Sequence, residues 1–199
     1  MSQYFLLDDQ DCAIVIESCC KILRKGGILC VPTDTVYGLV CDPADVKAIN
    51  RIIQLKSRPE DKPFALFTRT LTLSRPCPAA EILSNHFWPG PLTIIVPADP
   101  FFPYSYKGTV GLRSPDYPFI QTLLSAWGGS LANTSLNYSG NAPVWSLQGM
   151  ERILEKVDGI VDAGILPQQP PSTVVDCTIA PPKIVREGVV KIDSIDGLF

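Results

Sequence analysis

Over Asp11 to Lys25 apolar residues recur at helical spacing (Ile14, Ile16, Cys19, Ile22, Leu23), and the rhythm stops at Gly26-Gly27, where the chain switches to the apolar run Ile28 to Val31. A 3.6-residue period that ends in glycine and gives way to a short apolar run is a helix feeding a strand. Asp11 is available as its N-cap, and Lys21, Arg24 and Lys25 sit where cations favour a helix C-terminus. The same switch recurs along the chain. Helices are expected from Asp42-Pro43 to about Leu55, over Ala79 to Phe87, Pro118 to Trp127 and Leu147 to Val157. Strands are expected over Leu39 to Cys41, Phe64 to Thr68, Leu92 to Val96, Thr109 to Arg113, Ser130 to Asn133, Gly159 to Asp162, Thr173 to Cys177 and Lys183 to Arg186. No period repeats. The pattern predicts an α/β (α+β) fold, one mixed sheet flanked by helices in a single domain over residues 1–199.

Composition narrows the function. The chain is 46% hydrophobic and 19% charged, which provides a core and argues against disorder. Its net charge of -3 disfavours a protein that coats nucleic acid by phosphate neutralisation, so any such contact needs a local basic cluster. Seven cysteines (Cys12, Cys19, Cys20, Cys30, Cys41, Cys77, Cys177) contain no CxxC pair, which excludes the common zinc spacings and reads as reduced thiols. No basic-then-apolar leader opens the chain, and no apolar run approaches the ~18 residues of a membrane span. The expectation is a cytoplasmic protein without membrane contact.

Catalytic motifs are conspicuous by omission. No GxSxG, HExxH, GxGxxG or GK[ST] P-loop occurs, and the one histidine, His86, lies on an expected helix beside Phe87 and Trp88, where a surface or core-edge role is the ordinary one. What the chain has instead is polar loops at strand ends, where open sheets place ligands. Pro32-Thr33-Asp34-Thr35-Val36-Tyr37-Gly38-Leu39 follows the strand Ile28 to Val31 and presents two hydroxyls and a carboxylate. It serves equally as a polar turn or a binding loop. Lys56, Arg58 and Lys62 follow the second helix. Lys56 alone is explained by the helix dipole, but Arg58 and Lys62 lie beyond it, in a loop suited to a polyphosphate. Thr109 and Arg113, Ser135 and Asn137 with Ser139-Gly140, Ser172-Thr173 and Arg186-Glu187-Gly188 repeat the theme of short polar groups beside strands. Each alone has a bland reading as a turn hydroxyl or solvated arginine. Together they describe an anion-binding cleft that would act by positioning and charge stabilisation, as phosphoryl chemistry requires.

This ordered set, with Lys62-Pro63 and Pro89-Gly90-Pro91-Leu92-Thr93, resembles the YrdC-like family over roughly residues 10 to 190. The resemblance implies a twisted mixed sheet with a large concave basic cavity. It further implies an L-threonylcarbamoyladenylate synthase, a nucleotidyltransferase that condenses L-threonine, bicarbonate and ATP into threonylcarbamoyl-AMP and pyrophosphate for tRNA threonylcarbamoyladenosine modification. By motif, Thr35, Arg113 and Ser172 would hold threonine. Arg58, Lys62, Thr109, Ser135, Asn137 and Arg186 would hold ATP, and Lys56, Arg58 and Lys62 would neutralise developing charge, with Mg²⁺ bridging phosphates and no protein metal site.

Three departures accompany the resemblance. Leu136 stands between Ser135 and Asn137 where the family has a small residue, which would put a bulky group near the nucleotide. Phe64-Ala65-Leu66-Phe67 lacks a histidine that some members place there, and nothing matches the C-terminal domain of the longer synthases. The closing region also resembles the YciO subgroup. The alternatives are therefore a non-catalytic YciO-like protein binding double-stranded RNA or tRNA, and a nucleotide-binding partner of tRNA-modification proteins. On the synthase reading, Arg58→Ala and Lys62→Ala are expected to weaken ATP binding by roughly ten- to a hundredfold in calorimetric titration, the size of a lost charge-assisted bond. Thr35→Ala should chiefly raise the threonine requirement. An ATP affinity indifferent to Arg58 would place the triphosphate elsewhere.

Overall fold

In the computed structural model, which describes residues 2–7, 12–57, 63–99, 104–138, 140–191, 193 and 198, ten strands form one mixed sheet. The elements are β1 (Gln3–Leu6), α1 (Cys12–Arg24), β2 (Leu29–Val31), β3 (Gly38–Cys41), α2 (Val46–Lys56), β4 (Ala65–Phe67), α3 (Pro78–Phe87), β5 (Leu92–Pro97), β6 (Thr109–Arg113), α4 (Pro118–Trp127), β7 (Leu131–Ser135), α5 (Glu151–Leu154), β8 (Gly159–Asp162), β9 (Thr173–Asp176) and β10 (Lys183–Arg186). The strand order is β1-β8-β2-β3-β7-β4-β6-β5-β9-β10. No helix among the described residues is long and apolar enough to cross a membrane.

Alternation along the strands splits the core into two layers, because successive side chains leave opposite faces of the sheet. Cys30, Leu39, Cys41, Leu66, Ile94, Leu112 and Ala132 point to one face and meet α2 and α3 through Ala48, Ile52, Ala80 and Leu83. Leu29, Val31, Val40, Phe67, Leu131 and Val161 point to the other and meet α1 and α4 through Cys19, Leu23, Phe119 and Leu123. The first layer extends along the sheet as far as Val175 of β9. The second stops at Phe67 of β4. Beyond it the same face carries Ala65, Gly111, Arg113, Thr93 and Val174, uncovered by α1 or α4, and these line a cavity.

The structure revises several sequence expectations. A first strand, β1, lies parallel to β8 and was not expected; its run Gln3–Leu6 is too short for a period to register. The second helix begins at Val46, because Asp45 rather than Asp42-Pro43 caps it: Asp45 Oδ1 accepts from Lys47 N at 2.9 Å and Ala48 N at 3.0 Å. That helix runs on through Lys56, which was expected in a loop. The helix foreseen over Leu147 to Val157 shrinks to α5, since Gly149 takes a φ of +79° and halts the turn before Met150. Thr134 and Ser135, expected in a loop, belong to β7, where Ser135 pairs with Gly38 and Thr134 with Leu39. The expected cap Asp11 lies outside the described residues.

At the far edge Gly188 permits a close backbone crossing over β9. A Cβ there would lie 2.0 Å from Pro171 O and 2.6 Å from Ser172 C, and Gly188 N donates to Thr173 Oγ1 at 2.9 Å. Gly188→Ala is expected to destabilise the chain by about 1–3 kcal/mol, the usual cost of overpacking, read as a lowered urea midpoint at unchanged slope.

Candidate functional site

The cavity has a volume of about 500 Å³, and its floor is the uncovered part of the sheet face. Strand alternation aims its side chains: Thr109, Gly111 and Arg113 from β6, Asn133 and Ser135 from β7, Thr93 and Ile95 from β5, and Ala65 and Phe67 from β4. The loop before β3 contributes Thr35, and the segment before β9 contributes Ser172. Gly111 has a role in the shape, since a Cβ there would meet Thr93 Cγ2 at 3.4 Å and Ala65 Cβ at 3.6 Å and raise the floor.

Arg113 is the centre of the donor-rich end. It is 5% exposed, and its Nη2 lies 2.5 Å from Asp34 Oδ1. Nη1 and Nη2 each donate to Thr35 Oγ1 at 3.2 Å, and Nε donates to Gly90 O at 3.3 Å. Phe67, its register partner on β4, lies beneath the guanidinium at 5.9 Å from the ring centre. Burial pulls the Arg113 pKa down, and the Asp34 carboxylate opposes that pull. Asp34 is held in turn by Asp116 N, which donates to Oδ2 at 3.1 Å, and by Gln169 Nε2, which donates to the Asp34 carbonyl.

The loop carrying Asp34 and Thr35 folds around Thr33. Its Oγ1 accepts from Thr35 N at 3.1 Å and Val36 N at 3.2 Å and donates to Val36 O at 2.7 Å, a side-chain turn that needs no helix or ladder. Thr35 Oγ1 receives both Arg113 donors and lies 3.2 Å from Thr33 Oγ1, to which it donates because the Thr33 proton goes to Val36 O. Across the floor, Arg186 donates through Nη2 to Ser172 O at 2.8 Å and Ser172 Oγ at 3.2 Å, and Ser172 Oγ lies 2.9 Å from Thr93 Oγ1. Burial lowers the Arg186 pKa, and the Arg113 charge adds to the same effect, so the two cations share one region.

At the opposite end Ser135 and Asn137 are tied to Lys56. The Lys56 ammonium donates to Ser135 O and, at 2.7 Å, to Asn137 Oδ1. Lys56 is 1% exposed and is not among the residues that line the cavity. Its hydrogen bonds tie two residues that do line it. The expectation for Leu136 is corrected. Leu136 is fully buried in the apolar layer on the other face, its N–H bonded to Tyr37 O at 2.7 Å, so its bulk does not enter the cavity.

The structure thus brings Thr35, Thr109, Arg113, Ser135, Asn137, Ser172 and Arg186 to one cavity. Arg58, Lys62 and Ser139 lie outside the described residues. His86 is exposed, its Nδ1 at 3.2 Å from Ile82 O. Among the described residues no group of three His, Cys, Asp or Glu side chains is arranged to hold a metal ion. Sequence reasoning left Asp34 without a role and did not single out Thr33, Asn133 or Gln169. Asp34 and Arg113 are 79 positions apart, so only the fold reveals them as a pair.

The chain is similar in sequence and in fold to known proteins. A family model named Sua5_yciO_yrdC, whose description reads telomere recombination, matches residues 21–188. A threonylcarbamoyl-AMP synthase of Pyrococcus abyssi is 33% identical over 186 residues, covering 89% of this chain and 55% of the synthase. An uncharacterised protein, YciO, of Escherichia coli is 34% identical over 200 residues, covering 95% of this chain and 97% of YciO. The chain therefore spans about half the length of the synthase and nearly all of YciO. Among solved structures, P. abyssi Sua5 complexed with L-threonine superposes with a TM-score of 0.87 at 28% identity, covering 100% of this chain and 60% of Sua5. The E. coli YciO crystal structure superposes with a TM-score of 0.86 at 32% identity, covering 98% of this chain and 100% of YciO.

The buried ion pair yields a stability test. Asp34→Ala leaves the Arg113 guanidinium without its carboxylate and is expected to cost about 3–5 kcal/mol in urea unfolding. Replacing both partners, Asp34→Ala with Arg113→Met, should cost less than Asp34→Ala alone. Additive losses would show that the pair is not coupled.

Proposed function

The chain belongs to the Sua5/YciO/YrdC family, and we propose that it is an L-threonylcarbamoyladenylate synthase that converts L-threonine, bicarbonate and ATP into threonylcarbamoyl-AMP and pyrophosphate for tRNA modification. The observation that carries the reading is the convergence of Arg113, Thr35, Ser172 and Arg186 at one end of the cavity, with Thr109, Ser135 and Asn137 at the other. Arg113, with Thr35 beside it, offers a guanidinium donor to an amino-acid carboxylate. L-Threonine is the ligand in the Sua5 structure whose fold this chain shares. Arg186, together with Arg58 and Lys62 by their place in the motif, takes the nucleotide's charge.

In this reaction the threonine amine attacks bicarbonate and loses water to give a carbamate. A carbamate oxygen then attacks the α-phosphorus of ATP in line, a P–O bond forms, and pyrophosphate leaves with the electron pair of the broken bond. The protein's part is to hold the two substrates in line and to stabilise charge, and neither task demands a titrating histidine. Mg²⁺ is carried in with ATP as part of the substrate and there neutralises phosphate charge. The donor set fits that role: the described cavity wall offers hydroxyls, amides and guanidiniums, and the neighbouring carboxylate, Asp34, is committed to Arg113.

A second reading has its own support. The match to YciO extends over 97% of that protein, whereas the match to the P. abyssi synthase stops at 55% of it. On this reading the chain binds tRNA or double-stranded RNA without catalysis. Pyrophosphate release by the purified chain with MgATP separates the two. The synthase reading expects release that requires both threonine and bicarbonate, and Arg113→Ala should abolish the dependence on threonine. No release, together with steeply salt-dependent tRNA binding and no thermal stabilisation by ATP, would select the RNA-binding reading.

A further inference from the structure

The chain carries seven cysteines, and two of them come together on the face of the sheet opposite the cavity described above. Cys77 precedes α3 and Cys177 follows β9. Strand parity turns Val175 and Cys177 to the face that α3 covers, away from the Val174 side chain on the cavity floor. Cys177 N donates to Ile95 O at 2.9 Å, which carries the β5–β9 ladder one residue further and fixes the backbone beneath its sulfur. The Cys77 thiol donates to Cys177 O at 3.4 Å, across 100 positions of sequence. A sulfur seated on the other residue's backbone is within the span that a disulfide closes, since bridged Cα atoms stand up to ~7 Å apart.

The other thiols offer no such pair. Cys19 and Cys20 are neighbours on α1, where successive side chains diverge by ~100°, and with Cys12 they belong to the opposite apolar layer. Cys30 and Cys41 are fully buried. Cys77 and Cys177, at 6% and 7% exposed, instead line a second cavity, of about 600 Å³. Among the described residues its charged lining side chains are Arg75 and Lys107, both exposed. A small reagent with negative charge is thereby drawn toward the two sulfurs.

We propose that Cys77 and Cys177 are a redox modification site whose reagent is a small anionic disulfide and whose product is an intramolecular Cys77–Cys177 bond. Burial, with the Cys77 sulfur beside it, pushes the Cys177 thiol up to about 12, so Cys177 stays protonated and Cys77 attacks first. The Cys77 thiolate attacks one sulfur of the reagent, the reagent's S–S bond breaks, and the other half leaves as a thiolate that takes up the proton Cys77 gave off. The Cys177 sulfur then displaces the remaining half from Cys77 and passes its proton to it. Two protein thiols are oxidised and one reagent disulfide is reduced to two thiols. The bond pins α3 to β9 and so braces two elements that lead to the site: Gly90 O, beyond the end of α3, accepts from Arg113, and Ser172 precedes β9.

The full chain is treated with oxidised glutathione as the anionic probe or hydroxyethyl disulfide as the neutral one. A non-reducing peptide map should then join the Cys77 and Cys177 peptides. The melting temperature should rise by roughly 5–15 °C, the size expected of a bond that closes so long a loop, and return with dithiothreitol. Raising salt should slow the reaction with glutathione severalfold and leave that with hydroxyethyl disulfide unaffected. Cys177→Ser should halt the reaction at a mixed disulfide on Cys77, and Cys77→Ser should leave Cys177 reduced; should either variant fail to fold, the peptide map of the unaltered chain decides the pairing. Cys77 and Cys177 both reduced after treatment, either of them bonded to a different cysteine, or a mixed disulfide that persists on Cys77 in the unaltered chain overturns the proposal. The same salt response for both reagents overturns the part given to Arg75 and Lys107.

Discussion

A guanidinium that is 5% exposed is the constraint on which the site is built. Removing such a charge from water costs far more than a fold of this size can spare unless a counter-charge and several acceptors meet it. Arg113 meets that demand with Asp34, Thr35 Oγ1 and Gly90 O, three groups from two different loops. The loop that supplies Asp34 is consequently held in place by the ion pair, by Thr33 within it, and by Asp116 and Gln169 from outside. The binding loop and the arginine are thus one assembly, and neither has a defined geometry without the other. Pairing also limits how positive the cavity is. Asp34 takes up much of the Arg113 charge, so recognition at this end depends on directed N–H and O–H groups as much as on net potential.

The sheet explains why the assembly faces an open space. Its two faces are covered unequally, with α2 and α3 serving one and α1 with α4 covering only part of the other. Where covering helices are lacking, the period-two pattern still turns every second side chain of β4, β6, β5 and β9 outward, and there Thr93, Thr109, Gly111 and Arg113 stand among Ala65, Ile95 and Val174. Apolar residues there would form an exposed patch, a liability on any soluble surface. A polar, concave floor is the alternative, and the absence of a side chain at Gly111 keeps it deep.

Much of this was legible in the sequence because local signals carry it. The helix from Cys12, the helix from Pro118 and the strand Thr109–Arg113 follow directly from their period and flanking residues, and so does the clustering of polar groups at strand ends. The errors share a physical cause. Lys56 was read by its neighbours in sequence, as a loop cation, whereas tertiary contacts with Ser135 and Asn137 draw it inside. Leu136 was read by analogy to a motif, and strand parity put it on the opposite face. The helix foreseen over Leu147 to Val157 counted apolar spacing but not the positive φ that Gly149 adopts. Asp34 could not have been assigned from sequence at all, since its partner is supplied by a strand on the far side of two helices.

Hydrogen-bond sense is the level at which the family resemblance stops and this chain's own residues decide. Ser, Thr and Asn at a motif position say that a polar contact exists, but a hydroxyl may give or receive, and only the groups behind it determine which. Here a buried ammonium acts on Asn137, and Asn137 accepts the Ser135 proton. A chain with the same motif and a neutral residue in place of Lys56 would leave Asn137 free to flip and Ser135 free to donate.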